Sequence, residues 1–256
     1  MSRMQLLSSV ANLWLRHIRQ TWRQPIWVIF GLFQPLCYLL LFAPLLQNLK
    51  GIPAIPAGKT ITIYVPGLLV MMALFGAGYA GFGLVAELQS GFVERLLVAP
   101  IPRAALPLSR ILQDSLTLLI QVLLICLIAL PLGLQISPGG FLLALPLLTL
   151  LGLGLAACSY ALALLLRSAE ALSSLLNMVS LPLLLLSGIM LPLTLAPSPL
   201  QAIARFNPLT YIVDGERALF LGRLGEAAIW QGYLCASLLA FLALGWCLRS
   251  LKRAVL

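Results

Sequence analysis

Two stretches carry spacings associated with phosphate binding, and neither sits in the right context. Gly58-Lys59-Thr60 has the end of a phosphate loop, where a lysine neutralises phosphate and a hydroxyl holds magnesium, but Pro53 stands where the first glycine is required. Gly76-Ala77-Gly78-Tyr79-Ala80-Gly81 satisfies GxGxxG inside an unbroken apolar run, where no strand–turn–helix can form. No ATPase or dinucleotide site of its own is expected. Other chemistry is equally thin. The chain has one histidine (His17), no HExxH and no GxSxG, and Ser173, Ser174, Ser180 and Ser187 have no base nearby in sequence. Its five cysteines (Cys37, Cys126, Cys158, Cys235, Cys247) lack CxxC spacing, so they are read as packing residues and no metal site is expected.

The ionisable residues are few. Asp114 is one turn beyond Arg110 and is expected to pair with it at i, i+4, as is Arg167 with Glu170 at i, i+3. Ion-coupled transporters reveal themselves by carboxylates in mid-membrane. These four fall at the ends of apolar runs, so no proton or sodium relay is expected.

The elements that position these residues follow from composition. Charged residues make up 9% of 256 and apolar residues 61%, against about 25% charged in a soluble domain. Mean hydropathy is +1.05. Lipid must be the solvent for most of the chain. A spanning helix needs about 20 apolar residues, and the uncharged gaps place six, at roughly 26–46, 62–86, 111–135, 140–166, 172–195 and 227–248. The Ser137-Pro138-Gly139-Gly140 stretch is the expected turn between the third and fourth. The runs are continuously apolar rather than alternating, so the fold class is an all-α membrane protein and not a barrel. It is read as one transmembrane domain over 1–256.

Six spans place both termini on one side. Arg3, Arg16, Arg19, Arg23, Arg95, Arg103, Arg110, Arg167, Arg249, Lys252 and Arg253 collect there, which makes that side cytoplasmic. The net charge of +9 needs no nucleic acid to explain it. The first apolar run is too long for a signal-peptide core and is expected to be retained.

Three further segments stand out. Residues 4–24 read as an amphipathic interfacial helix, with Leu6, Val10, Leu13, Trp14, Ile18 and Trp22 opposite arginines. Ala73, Ala77 and Gly81 form a small-residue stripe suited to close helix contact, in this chain or a second copy. Beyond Leu191–Pro199, two short helices at about 199–222 are expected at the outer leaflet. Asn207-Pro208 caps the second, Gly222 ends it, and Asp214, Glu216 and Arg217 lie on or near one face.

The most unusual segment is Glu87 to Arg103. On a helix of about 90–100, Phe92, Val93, Leu96 and Leu97 share an apolar face, Glu94 and Arg95 point elsewhere, and Pro100 and Pro102 stop it. Charge and proline in so apolar a chain suggest contact with a soluble partner.

Gly91-Phe92-Val93-Glu94-Arg95-Leu96-Leu97-Val98-Ala99-Pro100-Ile101-Pro102-Arg103 resembles the conserved cytoplasmic loop of ABC-2 type ABC-transporter permeases. Asn207 to Gly222, read NPLTYIVDGERALFLG, is similar to that family's external segment before the last span, and the wording of both resembles daunorubicin-resistance (DrrB-like) drug exporters. The resemblance covers nearly the whole chain.

It implies a permease without enzymatic activity, in a bacterial inner membrane, paired with a second permease copy and two copies of a separate ATPase. That ATPase, not this chain, would bind ATP and magnesium. Gly91, Phe92, Glu94, Arg95, Leu96, Leu97, Pro100 and Arg103 would form the coupling helix. Asn207, Pro208, Tyr211, Asp214, Arg217 and Gly222 carry the external motif. A hydrophobic or amphipathic cargo is expected, since no charge cluster lines a span, with Phe33, Tyr38, Met71, Met72, Phe75 and Met190 as candidate lining residues. Export of a lipid-linked glycan and ion-coupled secondary transport are the alternatives.

Overall fold

A computed structural model describes residues 3–23, 26–47, 59–90, 105–189, 193 and 196–254. Every regular element among the described residues is helical. The order is α1 (Arg3–Arg23), α2 (Ile26–Gln47), α3 (Thr60–Gly76), a 3-10 turn (Ala77–Tyr79), α4 (Gly81–Gln89), α5 (Ala105–Ala129), α6 (Pro138–Leu166), α7 (Ala169–Leu185), α8 (Ser198–Ala204), α9 (Pro208–Phe220) and α10 (Ala227–Ala254).

Among the described residues, four helical stretches are long and apolar enough to cross a membrane: Thr60–Gln89, Pro107–Ala129, Pro138–Leu166 and Ala227–Arg253. The expected first span, 26–46, corresponds to the 22-residue α2 (Ile26–Gln47), and the expected fifth is represented by the shorter apolar run Ala169–Leu185. A 17-residue helix such as α7 is about 26 Å long, short of a hydrocarbon core of about 30 Å. It was expected to run to 195, but Leu186 caps it and a turn follows.

Two further boundaries differ from the sequence reading. The third span, expected at 111–135, occupies Ala105–Ala129. Pro131 and Gly133, the latter at φ 102, bring the chain round immediately afterwards. Ser137-Pro138-Gly139-Gly140 is consequently not the turn but the opening of α6. Ser137 is the N-cap, its Oγ accepting from Gly140 N at 3.5 Å, and Pro138 takes the first helical position, where no N–H is needed. At the other end of α6, Arg167 adopts a left-handed φ of 51, and Ser168 caps α7 by accepting from Ala171 N.

The core has two parts. One joins Leu39, Val65, Leu69, Val122, Leu147, Leu151, Ile212 and Phe220; the other joins Ala77, Leu84, Ile111, Tyr160, Leu164 and Leu251. The most extensive packing is between α6 and α10, followed by α9 against α10. The stripe at Ala77 and Gly81 meets α6 of the same chain. Gly81 N donates to Ser159 Oγ at 2.9 Å, and a Cβ at Gly81 would lie 2.5 Å from Ser159 O.

The bundle thus has two ends. The starts of α3 and α6, the end of α7 and all of α9 meet at one; α1, the end of α4, the start of α5 and the end of α6 meet at the other.

The approach of α6 to α9 depends on a missing side chain. A Cβ at Gly140 would lie 1.9 Å from the Leu219 carbonyl oxygen, whereas one at Gly139 would meet nothing within 4 Å. Gly140→Ala is expected to cost about 1–3 kcal/mol by overpacking. Gly139→Ala should leave thermal unfolding in detergent unchanged or slightly raised, and equal melting temperatures for the two variants would contradict this packing.

A candidate functional site at the end of α7

Helix α7 ends inside the protein, and its terminal carbonyls need donors that lipid cannot supply. Leu186 N and Ser187 meet those of Pro182 and Leu184, and α9 supplies donors to Leu183 and to the turn that follows the helix. Asn207 Nδ2 donates to Leu183 O at 2.9 Å, and Thr210 Oγ1 lies 3.1 Å from Leu186 O and 3.1 Å from Ala204 O. Arg217 Nη2 donates to Gly188 O at 2.6 Å and reaches Ile189 O at 3.4 Å. Arg217 Nε donates to Ile63 O at 3.1 Å, in the first turn of α3. One guanidinium therefore ties together three segments distant in sequence.

The sequence arranges this locally. Asn207 accepts from Leu209 N at 3.0 Å as the N-cap of α9, with Pro208 at the first helical position. Tyr211 OH donates to Arg205 O at 2.9 Å, which holds α8 against α9. Gly222 leaves α9 at φ 73, close against Ser137. All six residues of the motif, Asn207, Pro208, Tyr211, Asp214, Arg217 and Gly222, are thus on or at the ends of α9.

Electrostatics distinguishes the charged residues of α9. Arg217 is 7% exposed, and burial pushes its guanidinium down to about 10, opposed by Asp214; it stays charged at neutral pH. Asp214 Oδ1 lies 3.6 Å from Arg217 Nη1 with a half-exposed side chain. Burial raises the Asp214 pKa, and Arg217 works against that rise. Glu216 does not share their face. It is fully buried, both carboxyl oxygens lack a hydrogen-bond partner among the described residues, and Cys126 of α5 and Tyr233 of α10 are its titratable neighbours. Burial pushes the Glu216 carboxyl well above the usual carboxylate range. Beside α9, a cavity of about 190 Å³ opens between Lys59, Thr62, Gln135, Ser137 and Phe220.

A second polar group occupies the opposite end. Arg110, expected to pair with Asp114, instead forms its ion pair with Glu87, while Asp114 accepts from the buried Tyr160 hydroxyl of α6. The i, i+4 spacing was correct helical geometry, but nothing in it could reveal competing partners on α4 and α6. Neither Glu87–Arg110 nor Tyr160 was legible as a site residue.

The remaining expected site residues divide. Gly91, Phe92, Glu94, Arg95, Leu96, Leu97, Pro100 and Arg103, together with Met190, lie outside the described residues. Phe33 is 63% exposed, Tyr38 is half-buried against Phe42, and Phe75 is half-buried against Tyr79. Met71 and Met72 are buried in the core. All five cysteines are free thiols, and no group of metal-ligating side chains occurs among the described residues.

The family model for ABC-2 type transporters matches residues 9–221, which takes in α9 almost to its capping glycine. The chain belongs to the ABC-2 type transporter family. It is 35% identical over 200 residues to a putative transport permease, ycf38, of Cyanophora paradoxa, covering 77% of this chain and 69% of that one. Identity to the ycf38 permease of Porphyra purpurea is 30% over 219 residues, 84% and 75% of the two chains. The daunorubicin resistance ABC transporter permease protein DrrB1 of Streptomyces coeruleorubidus is 26% identical over 204 residues, 78% and 71%. This is a membrane transport permease of a family whose members work with ABC ATPases.

Two measurements check the site. Arg217→Leu strands buried carbonyls on α3 and beyond α7 and is expected to cost about 3–5 kcal/mol, read as a large drop in melting temperature in detergent. Arg217→Lys keeps the charge but not the fork, and should lose less.

Glu216 makes stability depend on pH. Its folded pKa is raised, so its stabilising contribution is complete below the ordinary value of 4.5 and is lost as pH rises through the folded value. Wild-type protein should therefore lose melting temperature as pH is raised above that ordinary value, and Glu216→Gln should flatten the slope. An identical slope in both proteins would contradict the assignment.

Proposed function

We propose that this chain is the transmembrane subunit of an ATP-driven exporter that moves a hydrophobic or amphipathic, drug-like or lipid-like molecule outward. One observation carries the reading: the family match, residues 9–221, spans the 91–103 segment and all but the last residue of the Asn207–Gly222 motif. The relative named for daunorubicin resistance supports an apolar cargo. In this reading the chain crosses a bacterial inner membrane six times with both termini in the cytoplasm. It pairs with a second permease copy and takes its energy from two copies of a separate ATPase, which bind ATP and magnesium.

The arrangement of α3 and α7 supports a cargo-facing strip. Tyr79 OH donates to Asn177 Oδ1 at 2.7 Å on a solvent-accessible face, and Asn177 Nδ2 reaches Ser173 Oγ at 3.4 Å. Phe75, Tyr79 and Phe82 form a ladder of rings beside them, with centroids 6.0 and 5.7 Å apart. Polar side chains on membrane helices are costly against lipid and suit a lined passage. Phe75 belongs to this strip; Phe33 and Tyr38 offer aromatic surface on α2, with Met71 and Met72 packed behind and Met190 assigned to the same passage.

Coupling falls to 91–103. Phe92, Leu96 and Leu97 anchor the coupling helix with Gly91 and Pro100 at its ends, Glu94 and Arg95 contact the motor, and Arg103 holds the loop to inner headgroups. In vesicles containing permease and cognate ATPase, Glu94→Ala with Arg95→Ala should abolish cargo-linked ATP hydrolysis while the permease stays folded. Unchanged coupled hydrolysis would contradict the role.

Glu216 favours one rival reading, proton-coupled transport, because it is a buried carboxyl without a partner among the described residues. Export that survives Glu216→Gln would dispose of that rival.

A further inference from the structure

The segment assigned to the motor leaves α4 after Gln89 and re-enters the bundle at Ala105 of α5. Glu87 and Arg110 stand just inside these two points, and Arg110 Nη2 donates to Glu87 Oε1. Their side chains are 21% and 14% exposed, so this is not one of the screened surface pairs that contribute little. Removing Arg110 would leave the Glu87 carboxylate without its cation in a mostly dry site, whereas removing Glu87 leaves Arg110 with Asp114 and Tyr160 alone.

The pair also has a continuation. One turn further along α5, Asp114 accepts from the Tyr160 hydroxyl of α6, and Tyr160 is 1% exposed. Helix α1 packs across α5, and His17 lies near Arg110. Burial first, then Arg110 and Arg16, push the His17 imidazole down to about 4, so it adds no second positive charge beside Arg110 at cytoplasmic pH.

We propose that the Glu87–Arg110 pair is a positioning clasp for energy coupling. It holds the end of α4 and the start of α5 to each other, so that a displacement of the segment between them moves both helices as one body. The Asp114–Tyr160 hydrogen bond then passes that movement to α6, the helix that packs most extensively on α10 and that also touches α9 at the far end. Without the clasp, the two helix ends separate and absorb the displacement. Neither residue touches cargo or nucleotide.

This inference rests on the ATP-driven reading, and the experiment separates the two. Permease and cognate ATPase are reconstituted in vesicles, and ATP hydrolysis and cargo export are read separately. If the wild-type complex does not couple the two, the exporter reading itself fails. Given wild-type coupling, Glu87→Gln and Arg110→Gln should keep the ATPase bound and hydrolysing within about twofold of wild type, yet export about tenfold less cargo per ATP. Arg110→Lys retains the charge and should keep about half of the coupling or more.

Three results would overturn the clasp. One is unchanged export per ATP in Glu87→Gln. Another is an Arg110→Lys variant as uncoupled as Arg110→Gln. The third is a loss of export that only tracks the loss of folded protein across all variants.

Discussion

Everything at one end of this molecule depends on the carbonyl groups left over where α7 stops. A helix that ends in water can leave its last carbonyls to the solvent, but one that ends within an apolar bundle cannot. Each buried carbonyl without a donor costs on the order of 1–3 kcal/mol. Asn207 meets Leu183 O at the helix end, Thr210 and Arg217 reach the Leu186, Gly188 and Ile189 carbonyls of the turn after it, and Arg217 adds the Ile63 carbonyl of α3. The short motif thus serves the end of another helix as well as, through Asn207, the start of its own.

That constraint explains why α9 is buried although it carries three charged residues in four positions. Its apolar residues Leu209, Ile212, Val213, Leu219 and Phe220 are each 1% exposed or less, and Gly140 lets α6 close onto the Leu219 carbonyl. Arg217 is held because its fork finds carbonyls. Glu216 has no such compensation among the described residues, and burial pushes its carboxyl well above the usual carboxylate range. A short helix bearing a tightly held cation and a buried acid, wedged among α3, α7 and α10, locks the far ends of those helices together.

Much of this was legible in sequence, for identifiable reasons. The composition settles lipid as solvent, and Asn207-Pro208 with Gly222 brackets α9 because capping and positive-φ requirements are local. The stripe at Ala77 and Gly81 marked close contact, though only coordinates could show that Ser159 of the same chain receives it. The errors lay where partners are distant. Gly139-Gly140 suggested a turn, yet Gly140 serves a contact about 80 residues away with Leu219, while Pro131 and Gly133 do the turning. Asp114 at four residues from Arg110 suggested a pair; the two charges do act on each other, but the direct contacts go to Glu87 and Tyr160, which arrive from other helices. Spacing reports what a helix offers, not what tertiary packing selects.

In the proposed transport cycle the two polar centres have different tasks. One fixes the ends of α3, α7 and α9 with respect to each other; the other joins α4, α5 and α6 next to the segment assigned to the motor. Between them lies the apolar bundle, with the Tyr79–Asn177 strip as its polar surface. The central claim is that movement is driven by ATP through a partner and not by an ion gradient. The direct measurement is cargo flux in vesicles containing the chain and its ATPase, energised either by ATP alone or by an imposed proton gradient alone. The account predicts export with ATP and none with the gradient; gradient-driven export in the absence of ATP would contradict it.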